Sequence, residues 1–357
     1  MRKYLLLGQG DIIRYLIELL EDDLCQPATT LYPHNLAGSL ETAIRATNAQ
    51  FEEPEILERL DVRLWNVQSG DTGWDVFTLD YKVSGPIGTV IQGHTINKYH
   101  CLFNHLWRGK RIEWMLSCVW KKQASLHKMT KTLPELKPVL HLANLLASEM
   151  IHFIHQMAYY VMFEVLECTC DELNKRLDQA ESLDEVIEAH ELFLNMLCKR
   201  ALLDDNSSSL LDELRSIYNI IINFQSIQNR IYVASIAEFE ARIEHQETIR
   251  RNEKAKRYGL TEKEELDQRR RRRKFEKEIL EPLKQEMKCA SQSYQNQVQA
   301  FLMLLAHNQD QDLQFLSFWL DFNQHYKKRN ARLGAPLTFL ARRESMQNSI
   351  SSSITSM

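Results

Sequence analysis

The chain has 357 residues, 44% of them apolar, and its 44 Lys/Arg against 48 Asp/Glu give a net charge of −4. That apolar content excludes a disordered polymer, and so balanced a charge gives no bulk attraction to nucleic acid or a membrane surface. Eleven Gly and eight Pro are few punctuators for this length, which excludes a turn-rich all-β fold and favours long helices.

The first sixty residues read as helices. Ile12, Ile13, Tyr15, Leu16, Leu19 and Leu20 have helical spacing, with Asp11 as the expected N-cap. Pro27 and Pro33 mark a loop, and a short amphipathic helix follows from Leu36 to Ala46. The pattern then changes to period 2. Leu60, Val62 and Leu64 form one expected strand; from Asp75, Phe77, Leu79, Tyr81 and Val83 alternate with Thr78, Asp80 and Lys82 as a second. Ser84-Gly85-Pro86 turns the chain into a third, Ile87, Thr89 and Ile91.

A long aromatic-rich helix is expected from Ile96 to about Trp120. Leu140 to Glu167 is the most apolar segment, with stripes that imply a helix buried nearly all round. Amphipathic helices follow at Ser182–Leu203 and Ser208–Glu240, parted by the turn-forming Asp204-Asp205-Asn206-Ser207. Between Glu244 and Glu281 lie 13 Lys/Arg and 10 Asp/Glu, so the rest of the chain carries 31 basic and 38 acidic residues. This segment reads as a projecting, solvated insertion. Core spacing resumes at Met287, Ala290, Tyr294, Phe301 and Leu305. It ends in two stripes, Phe315, Phe318, Phe322, Tyr326 and Leu313, Leu316, Leu320.

The fold class is therefore mainly α: a large helical-bundle domain with a small antiparallel β-meander near residues 60–92. Residues 1–243 form its first part, 244–285 the charged insertion (solvated helix or disorder), 286–340 the closing helices and 341–357 a disordered Ser-rich tail.

Motifs for chemistry are scarce. Leu5 to Asp11, LLLGQGD, lacks the Lys and hydroxyl of a P-loop and the third Gly of a dinucleotide fingerprint, so it reads as a glycine turn entering a helix. Glu149, His152 and His155 have the E-x-x-H spacing of a di-iron helix, but no second copy accompanies them, and the histidines read as satisfied bundle residues. Arg269–Arg273 could hold phosphates, yet acidic residues on both sides point to a solvated face; a helical nucleic-acid scaffold is the alternative reading. Seven cysteines, with no CxxC pair, read as small hydrophobes in a reducing, intracellular compartment. No apolar run reaches the ~18–20 residues of a membrane span. The loop Gly70 to Asp75 supports two readings equally: Trp74 as an aromatic anchor for a protein partner, or Trp74 closing the sheet against a helix.

Several blocks together resemble the gamma-tubulin complex component family: Lys3–Ile13 (KYLLLGQGDII), Pro27–Phe51 (PATTLYPHNLAGSLETAIRATNAQF), Glu55–Leu64 (EILERLDVRL), Asp71–Ile87 (DTGWDVFTLDYKVSGPI), Ala147–Cys168 (ASEMIHFIHQMAYYVMFEVLEC) and Phe315–Lys327 (FLSFWLDFNQHYK). The resemblance corresponds to the carboxy-terminal half of a family member, a helical domain with a small β element, and implies that the chain begins partway into a longer structure. It implies a protein that is no enzyme and needs no cofactor or metal. The implied partners are gamma-tubulin and other complex components, with neither membrane nor nucleic acid, at a microtubule organizing centre in the cytoplasm. Within that frame, position and chemistry select Asp71, Trp74 and Asp75 of the loop, Arg45, Asn48 and Gln50 of the preceding helix end, and Asn323 and Tyr326 as gamma-tubulin-binding residues.

Overall fold

The computed structural model describes residues 1–65, 67–68, 70–254, 262–308 and 310–329. The expected tail at 341–357 lies outside these residues. The chain divides into two compact units, one drawn from Met1–Trp114, Gln156–Leu211 and Asp310–Leu316, the other from Met115–His155, Asp212–Gln309 and Ser317–Met357.

The first unit opens with α1 (Gly10–Leu24), whose Ile12, Ile13, Leu16, Ile17, Leu20 and Leu24 form one buried stripe. Its N-cap is Gln9; Asp11 stands in the first turn instead, and its carboxylate accepts the Asn48 N–H at 3.1 Å. Pro33 starts α2 (Pro33–Ala46), where its missing N–H costs nothing. After α3 (Pro54–Glu58), β1 (Leu60–Leu64) pairs antiparallel with β2 (Phe77–Tyr81), Val62 opposite Leu79; between them lies the single turn α4 (Gly73–Val76).

The sheet has these two strands among the described residues, and the expected third is not one of them. Ile87–Val90 is the helical turn α5, which Ile91 closes by donating its N–H to the Ile87 carbonyl at 3.0 Å. Pro86 presets the φ of a helical entry, and Gly85, at φ +70, supplies the reversal before it. Two isoleucines four apart fit one helical turn as well as a strand, which is why alternation misled. The outer face of β2 is also less wet than its pattern implies: Thr78 is buried, and His100 lies 3.1 Å from the Asp80 carboxylate.

α6 (Gly93–Met129) carries Phe103 and Trp107, whose rings stack 5.5 Å apart and continue to Phe77 and Trp74. This aromatic chain is the core beneath the sheet. α7 (Lys137–Tyr160) runs into a π-helical stretch, Val161–Glu167. There Arg200 donates to the Glu164 carbonyl at 3.3 Å, while Tyr160 donates to the Arg200 carbonyl at 3.0 Å. The widened turn is thus held by side chains. Leu145, Tyr159 and Phe163 are exposed, so this segment is not buried all round as expected. α8 (Cys168–Gln179) and α9 (Leu183–Arg200) follow, the latter capped by Ser182, whose hydroxyl accepts the Glu185 N–H.

The second unit contains most of α10 (Ser208–Lys254), then α11 (Glu262–Lys274), a π-helical stretch Phe275–Leu280 and α12 (Glu281–His307). The position where the charged insertion was expected to begin, Glu244, falls inside α10, and Phe275 and Leu280 near its far end are buried. The resumed core spacing holds: Met287, Tyr294, Phe301 and Leu305 are fully buried, and Phe153 packs edge-on against Tyr294 and Phe301. α13 (Gln311–Leu320) and α14 (His325–Arg329) close the described chain. None of the seven cysteines is in a disulfide and Cys170 alone is buried; Cys25, Cys101, Cys168 and Cys289 are exposed, against the small-hydrophobe expectation.

Candidate protein-binding surfaces

The loop before β2 is built like a small joint. The Asp75 carboxylate accepts the Thr72 hydroxyl at 2.7 Å and the Thr72 N–H at 3.2 Å, a capping box around α4. Backbone bonds from Ala28 N–H to Asp71 O (2.9 Å) and from Gly73 N–H to Gln26 O (3.1 Å) fasten the loop beside the end of α1. Gly73 is required there, because a Cβ would sit 2.7 Å from the Leu24 Cα. Partial burial disfavours the charge on Asp75, but its bonds from Thr72 and the guanidinium of Arg108, 3.1 Å away, outweigh this and hold the carboxyl below its usual range.

Trp74 is 6% exposed and belongs to the core. Of the two readings, the displayed aromatic anchor is corrected, and Trp74 closes the sheet region against α6. Its ring lies 6.1 Å from Trp107, its indole N–H points at Cys25 Sγ at 3.5 Å, and the Arg111 guanidinium sits 4.6 Å over the ring. The polar company that made Trp74 look like surface is the capping box. The spacing Thr72-x-x-Asp75 was the available signal for that role.

Asp75 is exposed and Asp71 half-buried, and Asp71 also accepts the Gln68 N–H at 3.0 Å. Arg45, in the last turn of α2, is exposed and paired with Glu41, where a cation suits the helix end. Asn48 and Gln50 are exposed on the 3₁₀ turn Asn48–Phe51, tied down through Asn48 to Asp11. The two groups do not form one compact patch. Asp11 stands at the start of α1 and the Asp71–Asp75 loop at its end, ~20 Å apart at 1.5 Å rise per residue.

In the second unit, Asn323 is exposed, but Tyr326 is buried, which corrects the expectation that it lies on the surface. The Asp321 carboxylate explains this: it accepts the N–H groups of Tyr326 (3.0 Å) and Lys327 (2.9 Å), folding α14 back. Of the two stripes, Leu313, Leu316 and Leu320 are buried, whereas Phe315, Phe318 and Phe322 are exposed. Phe318 and Phe322, at 40% and 61% exposure, meet edge to face; Trp319, which the stripe reading passed over, is 40% exposed beside Phe318. Together with Asn323 they make an aromatic surface edged by a polar group, the usual composition of a protein-binding patch.

Among the described residues no three His, Cys, Asp or Glu side chains are grouped to hold a metal. His152 and His155 are exposed, not satisfied bundle residues, while Glu149 accepts from Gln295. No helix of the described residues is long and apolar enough to cross a membrane.

A family model, gamma tubulin complex component C-terminal, matches residues 1–326, and the chain belongs to that family. It is 49% identical over 345 residues to gamma-tubulin complex component 3 of Homo sapiens, covering 97% of this chain and 38% of that protein. It is likewise 49% identical to the component 3 homolog of Xenopus laevis, over 96% of this chain and 38% of that one. Spindle pole body component alp6 of Schizosaccharomyces pombe is 36% identical over 93% of this chain and 38% of its own length. The chain thus spans well under half the length of each of these relatives.

Proposed function

We propose that this chain is a gamma-tubulin-binding component of a gamma-tubulin complex, positioning gamma-tubulin to template microtubule nucleation at a centrosome or spindle pole. The observation that carries this reading is the family match over residues 1–326, which contains every candidate surface residue. Its partners are gamma-tubulin and the other complex components. Aromatic residues at 318, 319 and 322 supply contact area at low entropic cost, with Asn323 orienting the partner. Trp74 and Tyr326 serve the same function from inside, by fixing the backbone that displays Asp75 and Asn323. Holding successive gamma-tubulins in register meets the entropy loss of ring assembly before tubulin dimers arrive.

The test is direct binding of purified chain to gamma-tubulin. A one-to-one complex at micromolar concentration is expected, and Phe322→Ala should weaken it by about tenfold or more while leaving thermal unfolding unchanged. A well-folded chain with no affinity at micromolar concentration overturns the reading.

A further inference from the structure

The side chain stacked on Trp74 is Arg111, with Cζ 4.6 Å from the ring centroid. A planar guanidinium lies well on an indole face and keeps its N–H donors directed outward in the ring plane. Arg111 follows Arg108 by three residues on α6, which puts both on one helix face. Among the described residues, the ion pair this couple makes is Arg108 to the Asp75 carboxylate, at 3.1 Å. Lys110, on the same turn, is matched by Glu113 at 2.8 Å. No carboxylate among the described residues forms an ion pair with Arg111.

Arg108, Arg111 and Asp75 therefore carry one positive charge in excess, on a guanidinium partly withdrawn from water. That withdrawal lowers its pKa, against the attraction of Cys25 and Asp75 and with the repulsion of Arg108. Arginine nonetheless stays charged at neutral pH. A half-buried cation without an anion is unfavourable in the free protein, and an arriving carboxylate relieves the imbalance. Asp75 attracts Arg111 but does so only in part, because its oxygens are engaged by Thr72 and Arg108 and none is paired with Arg111.

We propose that Arg111, stacked on Trp74, is the receiving group for an acidic side chain of the bound partner, taking its carboxylate through two parallel N–H donors. This rests on the reading that the partner is gamma-tubulin. Trp74 is then a positioning residue, and the loop Asp71–Asp75 sets where the carboxylate enters.

The experiment compares gamma-tubulin binding by the full chain, Arg111→Gln, Arg111→Lys and Lys110→Gln, with tryptophan fluorescence and thermal unfolding to report packing around Trp74. Arg111→Gln should weaken binding by about 30-fold or more. Arg111→Lys should recover part of that loss, since it keeps the charge without the planar fork. Lys110→Gln should bind within about twofold of wild type, as expected for a cation already matched by Glu113 on its own helix. Wild-type affinity in Arg111→Gln, or equal losses in the Gln and Lys variants, overturns the assignment while leaving the functional reading intact. No binding by wild type overturns both.

Discussion

Two arginine clusters in this molecule have opposite accounts of charge. In the second unit, Arg242 and Glu238 are both nearly inaccessible and paired at 2.7 Å. Arg242 also donates to the Thr132 carbonyl at 2.8 Å and to Glu135 at 3.2 Å, while Arg271 Nε stands 3.2 Å from the other Glu238 oxygen. Two cations meet two anions, and the donors of Arg242 are spent inside the fold. In the first unit, Arg108 takes the Asp75 carboxylate, and Arg111 feels it without pairing to it. Matching every charge, most deeply at Arg242 and Glu238, is how a fold tolerates internal charge. Incomplete pairing at a half-exposed site keeps an electrostatic demand that a partner can meet.

The complete cluster should break hardest. Glu238→Ala removes one of the two carboxylates that hold buried Arg242, which keeps Glu135, and the counter-ion of the partly exposed Arg271, at a cost of about 2–3 kcal/mol. Equilibrium urea unfolding measures it. A loss under about 1 kcal/mol would mean that water reaches the cluster and that the contrast between the two sites is false.

The incomplete cluster should yield a smaller loss with a pH signature. Asp75→Ala removes half of the capping box and the ion pair to Arg108, together about 1–2 kcal/mol. The folded-state pKa of Asp75 is depressed, so its contribution is present above the unfolded value, ~3.9, and is lost as pH falls through the folded one. The stability difference between wild type and Asp75→Ala should therefore be flat near neutrality and shrink in acid. A difference that stays flat or grows on acidification would show that the depression is not real.

The contrast also shows what the sequence could convey. Hydrophobic spacing found α1, α2 and the core face of α12, because burial repeats with the helix itself. It found both stripes of α13 but not which would be covered, since Leu313, Leu316, Leu320 and Phe315, Phe318, Phe322 are equally apolar. Trp74 stayed open between two readings because its acidic neighbour serves a cap, Thr72 to Asp75, that hydropathy does not register. In sequence, Arg242 and Glu238 are no more than two opposite charges four apart. Their burial depends on Thr132 and Glu135, more than a hundred residues away, and no local pattern carries that.

The arginine run gives the smallest effect and the finest test. Arg269 is largely exposed and, among the described residues, pairs with Glu265 at 3.5 Å, one helical turn away, so Arg269→Ala should cost no more than about 0.5 kcal/mol. Arg271, two residues on, reaches the buried Glu238. Arg271→Ala leaves Glu238 its partner Arg242 but strips one of its two cations, and about 1–2 kcal/mol is expected. Neighbouring residues of one type would thus differ severalfold in cost, and added salt should erase the Arg269 term while sparing most of the Arg271 term. Equal losses for the two variants in the same urea titration would mean that α11 is a solvated helix throughout and that Arg271 does not fasten it to α10.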